Sequence, residues 1–282
     1  LDPGKVFLTA QDVAAFGKYS TQLDDAIKSG QVDPAWAIFA LYRQRVGERL
    51  GHARGLLKGG FDFSGDERYE YDREDAPWAA NNAALDALWK QSVKNDWLRL
   101  KLAGKQPDEI RKTLDKRYAN LLDSINELKG EEVFQSFLNA YAGVIDPHTD
   151  YMTPRSATNF NMQISNSLEG IGAVLFKQDD MVVVREMVPG GPAVRSGKLK
   201  PGDRIVGVGQ GASGEMKDVI GWRTDDVVDL IRGAAKTQVR LDVVSAEAPL
   251  DSKPARVLLT RAKVRLEVAR AKTESITLPA TG

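Results

Sequence analysis

The 282-residue chain has no cysteine and only two histidines. The first absence excludes disulfides, thiolate nucleophiles and cysteine-ligated zinc. The second leaves little room for imidazole chemistry. His52 and His148 lie far apart in sequence, and a Ser-His-Asp triad would rest on His148 with no nucleophile elbow near it. No apolar run reaches the length needed to span a bilayer. An excess of one charge sign is missing too: Lys+Arg and Asp+Glu both number 39, which removes bulk attraction to nucleic acid or anionic membrane. The chain opens Leu-Asp-Pro, without methionine or signal peptide, and is expected to be a piece of something longer.

What is present suits a globular protein: 42% apolar and 28% charged residues, on a chain long enough for two ordinary domains. The first half carries helical periodicity. A capping-box-like start at Thr9 and Asp12 predicts an amphipathic helix over 9–29 ending at Gly30. Asp33-Pro34 opens a second helix, and the glycines between Gly51 and Gly65 are expected to weaken it. Residues 61–78 read as an ordered surface loop that packs Phe61, Phe63 and Trp78. Further helices are expected over 82–100, over 110–128 with Gly130 ending it, and from Val133 to just before Asp146-Pro147. All five tryptophans read as core anchors.

After Asn166 the period changes. Gly170–Phe176 and Met181–Val188 are β-rich runs around a hairpin signal, Lys-Gln-Asp-Asp. Pro192-Ala193 begins a short helix, Pro201-Gly202-Asp203 turns into a strand, and Thr224–Ile231 is a further helix. Strands at 239–244 and 257–261 complete a small α+β domain.

The functional signal lies in Leu168–Phe176. Two glycines two apart lead into an apolar strand, so a backbone can approach a ligand with no Cβ in the way. Loop N–H groups can hold a carboxylate while the strand edge pairs with peptide backbone. Ile171 and Ala173 share a strand face. Other motifs give weaker signals. Gly209–Gly214 spells G-x-G-x-x-G but lacks the βαβ context. Asp146, His148 and Asp150 read as a capped turn rather than a metal site. Leu278–Gly282 matches a sorting pattern without the apolar segment and basic tail that would have to follow. Glu169, beside a carboxylate loop, is expected to point away or to pair with a cation.

Gly-Ile-Gly-Ala-Val-Leu from Gly170, Val-Pro-Gly-Gly-Pro-Ala from Val188, Lys-Pro-Gly-Asp-Arg-Ile-Val-Gly-Val from Lys200 and Asp-Asp-Val-Val-Asp-Leu-Ile-Arg-Gly from Asp225 together resemble a permuted PDZ domain of bacterial proteases. Ile145–Arg155, Ser167–Gly172, Asp75–Trp78 and Val219–Arg223 extend the resemblance to the tail-specific proteases of the carboxy-terminal processing peptidase family. The resemblance implies a multidomain α and α+β chain. It comprises an N-terminal helical bundle over 1–155, a PDZ domain over 156–268, and the start of a linker at 269–282 to a protease domain absent here. The family's Ser/Lys dyad belongs to that absent domain, so no catalytic residue is assigned.

The implied peptide-binding residues are Leu168, Gly170, Ile171, Gly172, Ala173, Val227, Val228 and Ile231, and the sequence leaves open which of the helical ones face the groove. Implied partners are C-terminal tails of substrate proteins and an adaptor lipoprotein. Neither nucleic acid, a membrane span, a cofactor nor a metal is expected, and the implied location is the periplasm. Residues 161–167 and 261–270 are expected hinges. The rival readings are a non-enzymatic PDZ scaffold or adaptor, and an enzyme whose site the motifs do not reveal.

Overall fold

The structure, a computed structural model, describes residues 1–249 and 252–265. The chain divides into two compact units, Leu1–Thr153 and a second beginning at Pro154.

In the first unit, α1 (Ala10–Ala15) is capped by Thr9, whose hydroxyl accepts from the Asp12 N–H while the Thr9 N–H donates to the Asp12 carboxylate. The helix expected over 9–29 is broken. A 3₁₀ turn occupies Phe16–Tyr19, and α2 starts only at Leu23 and runs to Ser29. Glycine at 17 and the Ser20-Thr21 pair favour turn over helix continuation. By contrast α3 (Asp33–Leu56) runs straight through Gly51 and Gly55. Its last turns are held by the fully buried Leu50, Ala53 and Leu57, and tertiary burial outweighs the glycine penalty of about 1 kcal/mol each. α4 (Asn82–Leu102) is N-capped by Asn81. α5 (Pro107–Asn126) begins on a proline in its first turn. Gly130 does not end α5 but starts α6 (Gly130–Ile145).

α3, α4 and α5 pack against one another around Val46, Leu50, Trp89, Val93, Trp97, Ile110, Leu114 and Tyr118. Trp89 also donates its indole N–H to the Val6 carbonyl at 2.7 Å, tying the N-terminal strap to α4. The loop over 61–78 packs Phe61, Phe63 and Trp78 on this core, as expected. Two tryptophans depart from the core reading: Trp36 is 41% and Trp222 39% exposed.

In the second unit, α7 (Pro154–Ser165) leads into β1 (Ser167–Gly170). Residues 161–165, expected to be a hinge, are therefore helical. On the far side, β8 (Ala262–Arg265) pairs with β1 in a two-stranded ribbon, with Gly170 opposite Ala262. The remainder of the second expected hinge, 266–270, lies outside the described residues, as does Leu278–Gly282. The main sheet has the order β2-β3-β4-β6-β7, all antiparallel, with β5 off β4. Its strands are β2 (Ala173–Gln178), β3 (Met181–Met187), β4 (Arg204–Gln210), β5 (Met216–Asp218), β6 (Gln238–Val244) and β7 (Ala255–Thr260). α8 (Pro192–Ser196) and α9 (Thr224–Ile231) cover it over a core of Val, Ile, Leu and Ala. The Gly209–Gly214 motif is the bend between β4 and β5, where the Gly214 N–H donates to the Gln210 carbonyl.

Candidate peptide-binding groove

The groove is built from a loop, a strand edge and a helix. Ile171 and Gly172 link β1 to β2. The β1–β8 ribbon holds the loop from one side, and backbone bonds hold it from the other. The Ala193 N–H donates to the Ile171 carbonyl at 2.8 Å and the Val188 N–H to the Gly172 carbonyl at 2.9 Å. Both carbonyls are thus turned toward the Gly190-Gly191-Pro192 turn. Neither the Ile171 nor the Gly172 N–H donates a hydrogen bond among the described residues. The conformation depends on glycine. Gly172 has φ +71°, and a Cβ there would stand 3.1 Å from the Gly191 Cα and 3.4 Å from the Val264 methyls. Gly191 is the reciprocal position: a Cβ on it would meet the Val188 carbonyl oxygen at 3.0 Å and the Gly172 Cα at 3.2 Å.

Among the described residues β2 is an edge strand, hydrogen-bonded to β3 on one side only. Facing it is α9, and between them lies a cleft of about 370 Å³. Leu168, Gly170, Ile171, Gly172 and Ala173 all line it, with Val228 and Ile231 from α9. Val227, the eighth residue of the set, is turned the other way: it is fully buried in the core and does not line the cleft. Thr224, Asp225, Val228, Asp229 and Arg232 mark the cleft side of α9, Ile231 lies at its border with the core, and 227 falls on the core side.

Several residues that the motifs did not assign to the groove also line it. Arg232, at the end of α9, lines the cleft beside Gly170. Its Nη1 donates to the Asn159 side chain at 2.9 Å, and no carboxylate stands within ion-pair distance of it among the described residues. Burial pushes its pKa down, while the charges of Asp229 and Asp225, which also line the cleft, act in the other direction. Arg155 and Asn159 of α7 also border the cleft. Arg155 bridges to Asp226 at 2.9 Å and to Asp229, pairings that raise its pKa and fasten α7 to the α9 wall. Glu169 points away from the loop: its carboxylate accepts from the Ala235 N–H at 3.2 Å. The end of α9 is set by Arg261, buried at 4% exposure. Its Nε and Nη2 donate to the Ile231 and Leu230 carbonyls, and its other N–H groups reach Thr237, Gln238 and Gln210. It satisfies the orphan carbonyls of the helix end.

Elsewhere, no group of three or more potential metal ligands occurs among the described residues. Asp146 is occupied in a turn, accepting from the His148 N–H and the Thr149 hydroxyl, and those bonds lower its pKa. No helix is long and apolar enough to cross a membrane among the described residues.

An edge strand, a glycine-shaped loop and a helical wall define a PDZ-type module, preceded in this chain by a helical unit. Residues 157–244 match the family model of the PDZ domain, and residues 1–155 match that of the tail-specific protease N-terminal domain. The chain belongs to the tail-specific protease family, as its motifs indicated. It is 42% identical over 255 residues to the tail-specific protease of Haemophilus influenzae, covering 90% of this chain and 36% of that protein. It is 36% identical over 98 residues to the carboxy-terminal processing protease CtpA of Bacillus subtilis, covering 35% of this chain and 20% of that one. The crystal structure of the PDZ domain of the carboxy-terminal protease from Vibrio cholerae in complex with peptide shares 49% identity. It covers 36% of this chain and 99% of that one, with a TM-score of 0.34. The chain spans little more than a third of the Haemophilus relative's length.

Proposed function

We propose that this chain is the substrate-recognition portion of a tail-specific serine protease, and that its groove captures protein C-termini. The observation that carries the reading is that one cleft brings together two undonated loop N–H groups, the edge strand β2 and the Arg232 guanidinium. A terminal carboxylate would accept from the Ile171 and Gly172 N–H groups and draw on the Arg232 charge. The last residues of the tail would add a strand to β2. The terminal side chain would sit among Leu168, Ile171, Val228 and Ile231, which sets a preference for an apolar ending. Residues of this chain would bind and orient, and the bond cleavage would belong to a Ser/Lys protease domain whose activation follows groove occupancy. The same proposal places the protein in the periplasm, with an adaptor lipoprotein as a further partner.

The test is calorimetric titration of the chain with a short apolar-ended peptide, free or amidated at its C-terminus. The free peptide should bind at least about tenfold more tightly, since amidation removes the charge that the loop and Arg232 would meet. Equal binding of the two, or none, overturns the reading.

A further inference from the structure

A second cavity, in the first unit, has a different character. It holds about 580 Å³ where the end of α3, the end of α4 and the start of α5 meet. Its floor is apolar and aromatic. Phe61 packs edge-on against Trp97 with ring centroids 5.7 Å apart, Phe63 lies 6.4 Å from Phe61, and Ile110 is fully buried beneath. Its rim is cationic: Lys58, Lys101, Lys105 and Arg111 line it, and no aspartate or glutamate does. For a chain with balanced charge this is a marked local asymmetry.

The four cations are not equally available. Lys105 is paired with Glu109, and Arg111 is held by Asp108 at 2.8 Å and by the Leu57 carbonyl at 3.1 Å. Lys58 and Lys101 have no carboxylate partner among the described residues, and the Lys101 ammonium stands 4.9 Å from the centroid of the Phe63 ring. Part of this charge complements the negative ends of α3 and α4. Dipole complementation alone does not call for an accessible aromatic floor beneath the ammonium groups.

We propose that this cavity is a docking site for an acidic polypeptide segment. An apolar side chain would rest on Phe61, Phe63 and Trp97, and flanking carboxylates would meet Lys58 and Lys101. The volume lies within the range of ligand pockets and suits one or two side chains rather than a folded domain. Charge complementarity selects the class of occupant, because an uncharged or basic segment would leave the Lys58 and Lys101 ammonium groups at the rim without a counter-charge. The site would hold a substrate or partner by an internal acidic stretch, with no free terminus required, and so does not rest on the groove reading.

The probe is an acetylated, amidated pentapeptide with one phenylalanine flanked by glutamates, titrated calorimetrically into the whole chain. Blocked ends keep it from a carboxylate-reading groove. Binding should weaken at least about tenfold when glutamine replaces glutamate, and by a similar factor in the Lys58→Glu/Lys101→Glu variant, where like charges face each other. Should that variant fail to fold by circular dichroism, Lys58→Ala/Lys101→Ala should show a smaller loss in the same direction. Equal binding of the glutamine peptide, an unchanged variant, or no binding of the glutamate peptide overturns the proposal. So does saturation by inorganic phosphate or anionic vesicles without any binding of the peptide.

Discussion

The two units solve the same problem with different side chains. The buried core of the helical unit is rich in large rings, with Phe39, Tyr42, Trp89, Trp97 and Tyr118 among its members. The buried core of the PDZ-type unit has no aromatic residue and is made of Val, Ile, Leu and Ala. Helix axes pack 8–10 Å apart, and a few bulky rings fill the gaps between three helices. A small sheet with short helices on it is covered by branched chains that fit the pleat. The polar fastenings differ in step. The helical unit uses side-chain caps at its strap and helix starts, such as Asp2 collecting the Val6, Phe7 and Leu8 N–H groups. The PDZ-type unit uses a buried guanidinium, Arg261, and glycines such as Gly172 and Gly191 that leave a Cβ little room. The lesson is that the first unit should be sensitive to lost volume, and the second to lost geometry.

The largest expected effect breaks the helical unit alone. Trp89→Ala removes a 7%-exposed ring and its bond to Val6, at a cost of about 3–5 kcal/mol. Thermal unfolding followed by near-ultraviolet circular dichroism should show one early transition, with peptide binding by the groove retained below it. Arg261→Met should come next, at about 2–4 kcal/mol, because it leaves the Ile231 carbonyl without its donor and the Leu230 carbonyl with the Gln210 amide alone. Chemical denaturation should place this loss in the PDZ-type unit. Arg261→Lys should restore little of it, since an ammonium cannot reproduce the fork.

Gly172→Ala sharpens the contrast further. Added volume, harmless at most surface positions, here meets φ +71° and a 3.1 Å contact, for about 1–3 kcal/mol and a distorted loop. Hydrogen exchange should report the damage in β1, β2 and the loop and leave α3–α5 untouched. A smaller effect depends on pH. Asp12 is buried, which raises its pKa, but bonds from Arg45 and Thr9 outweigh burial and leave it lowered from 3.8. A depressed folded pKa stabilises the fold above the unfolded value and loses that stability as pH falls through the folded one. The helical unit should therefore melt earlier below pH 3.8 than at neutrality, and Asp12→Asn should flatten this dependence. The smallest effect is expected from Arg155→Ala. Its partly exposed pairs with Asp226 and Asp229 are worth about 0–1 kcal/mol, and a double-mutant cycle on peptide affinity would read whether they act on the groove.

Much of this was legible in the residues. The capping box at Thr9, the proline start of α3, the α5 periodicity and the strand-turn-helix order after Asn166 are short-range signals. Chains carry such signals locally because caps, turns and amphipathic faces involve neighbours three or four positions apart. The misreadings came from competition between local and distant effects. Gly51 and Gly55 read as helix breakers, yet Leu50, Ala53 and Leu57 are buried on both sides of them. The stretch 161–165 read as part of a hinge because it flanks the PDZ domain, and it is the end of α7. Trp36 read as a core anchor because tryptophan usually is one, and it is exposed.

At the groove the same division holds. The residue order alone determined that a glycine loop would precede an apolar strand, that a capped helix would follow at a distance, and that the series of motifs belongs to the tail-specific protease family. Backbone chemistry accounts for this, since glycine, proline and alternation act on the chain where they stand. Only the tertiary structure decided that β2 is an edge, that Val228 and Ile231 face the cleft while Val227 faces the core, and that Arg232, Asn159 and Arg155 border it. Those placements depend on which strands pair and which helix face is buried. Pairing and burial are set by contacts between residues distant in the chain, as with Gly170 opposite Ala262 and Arg155 against Asp226.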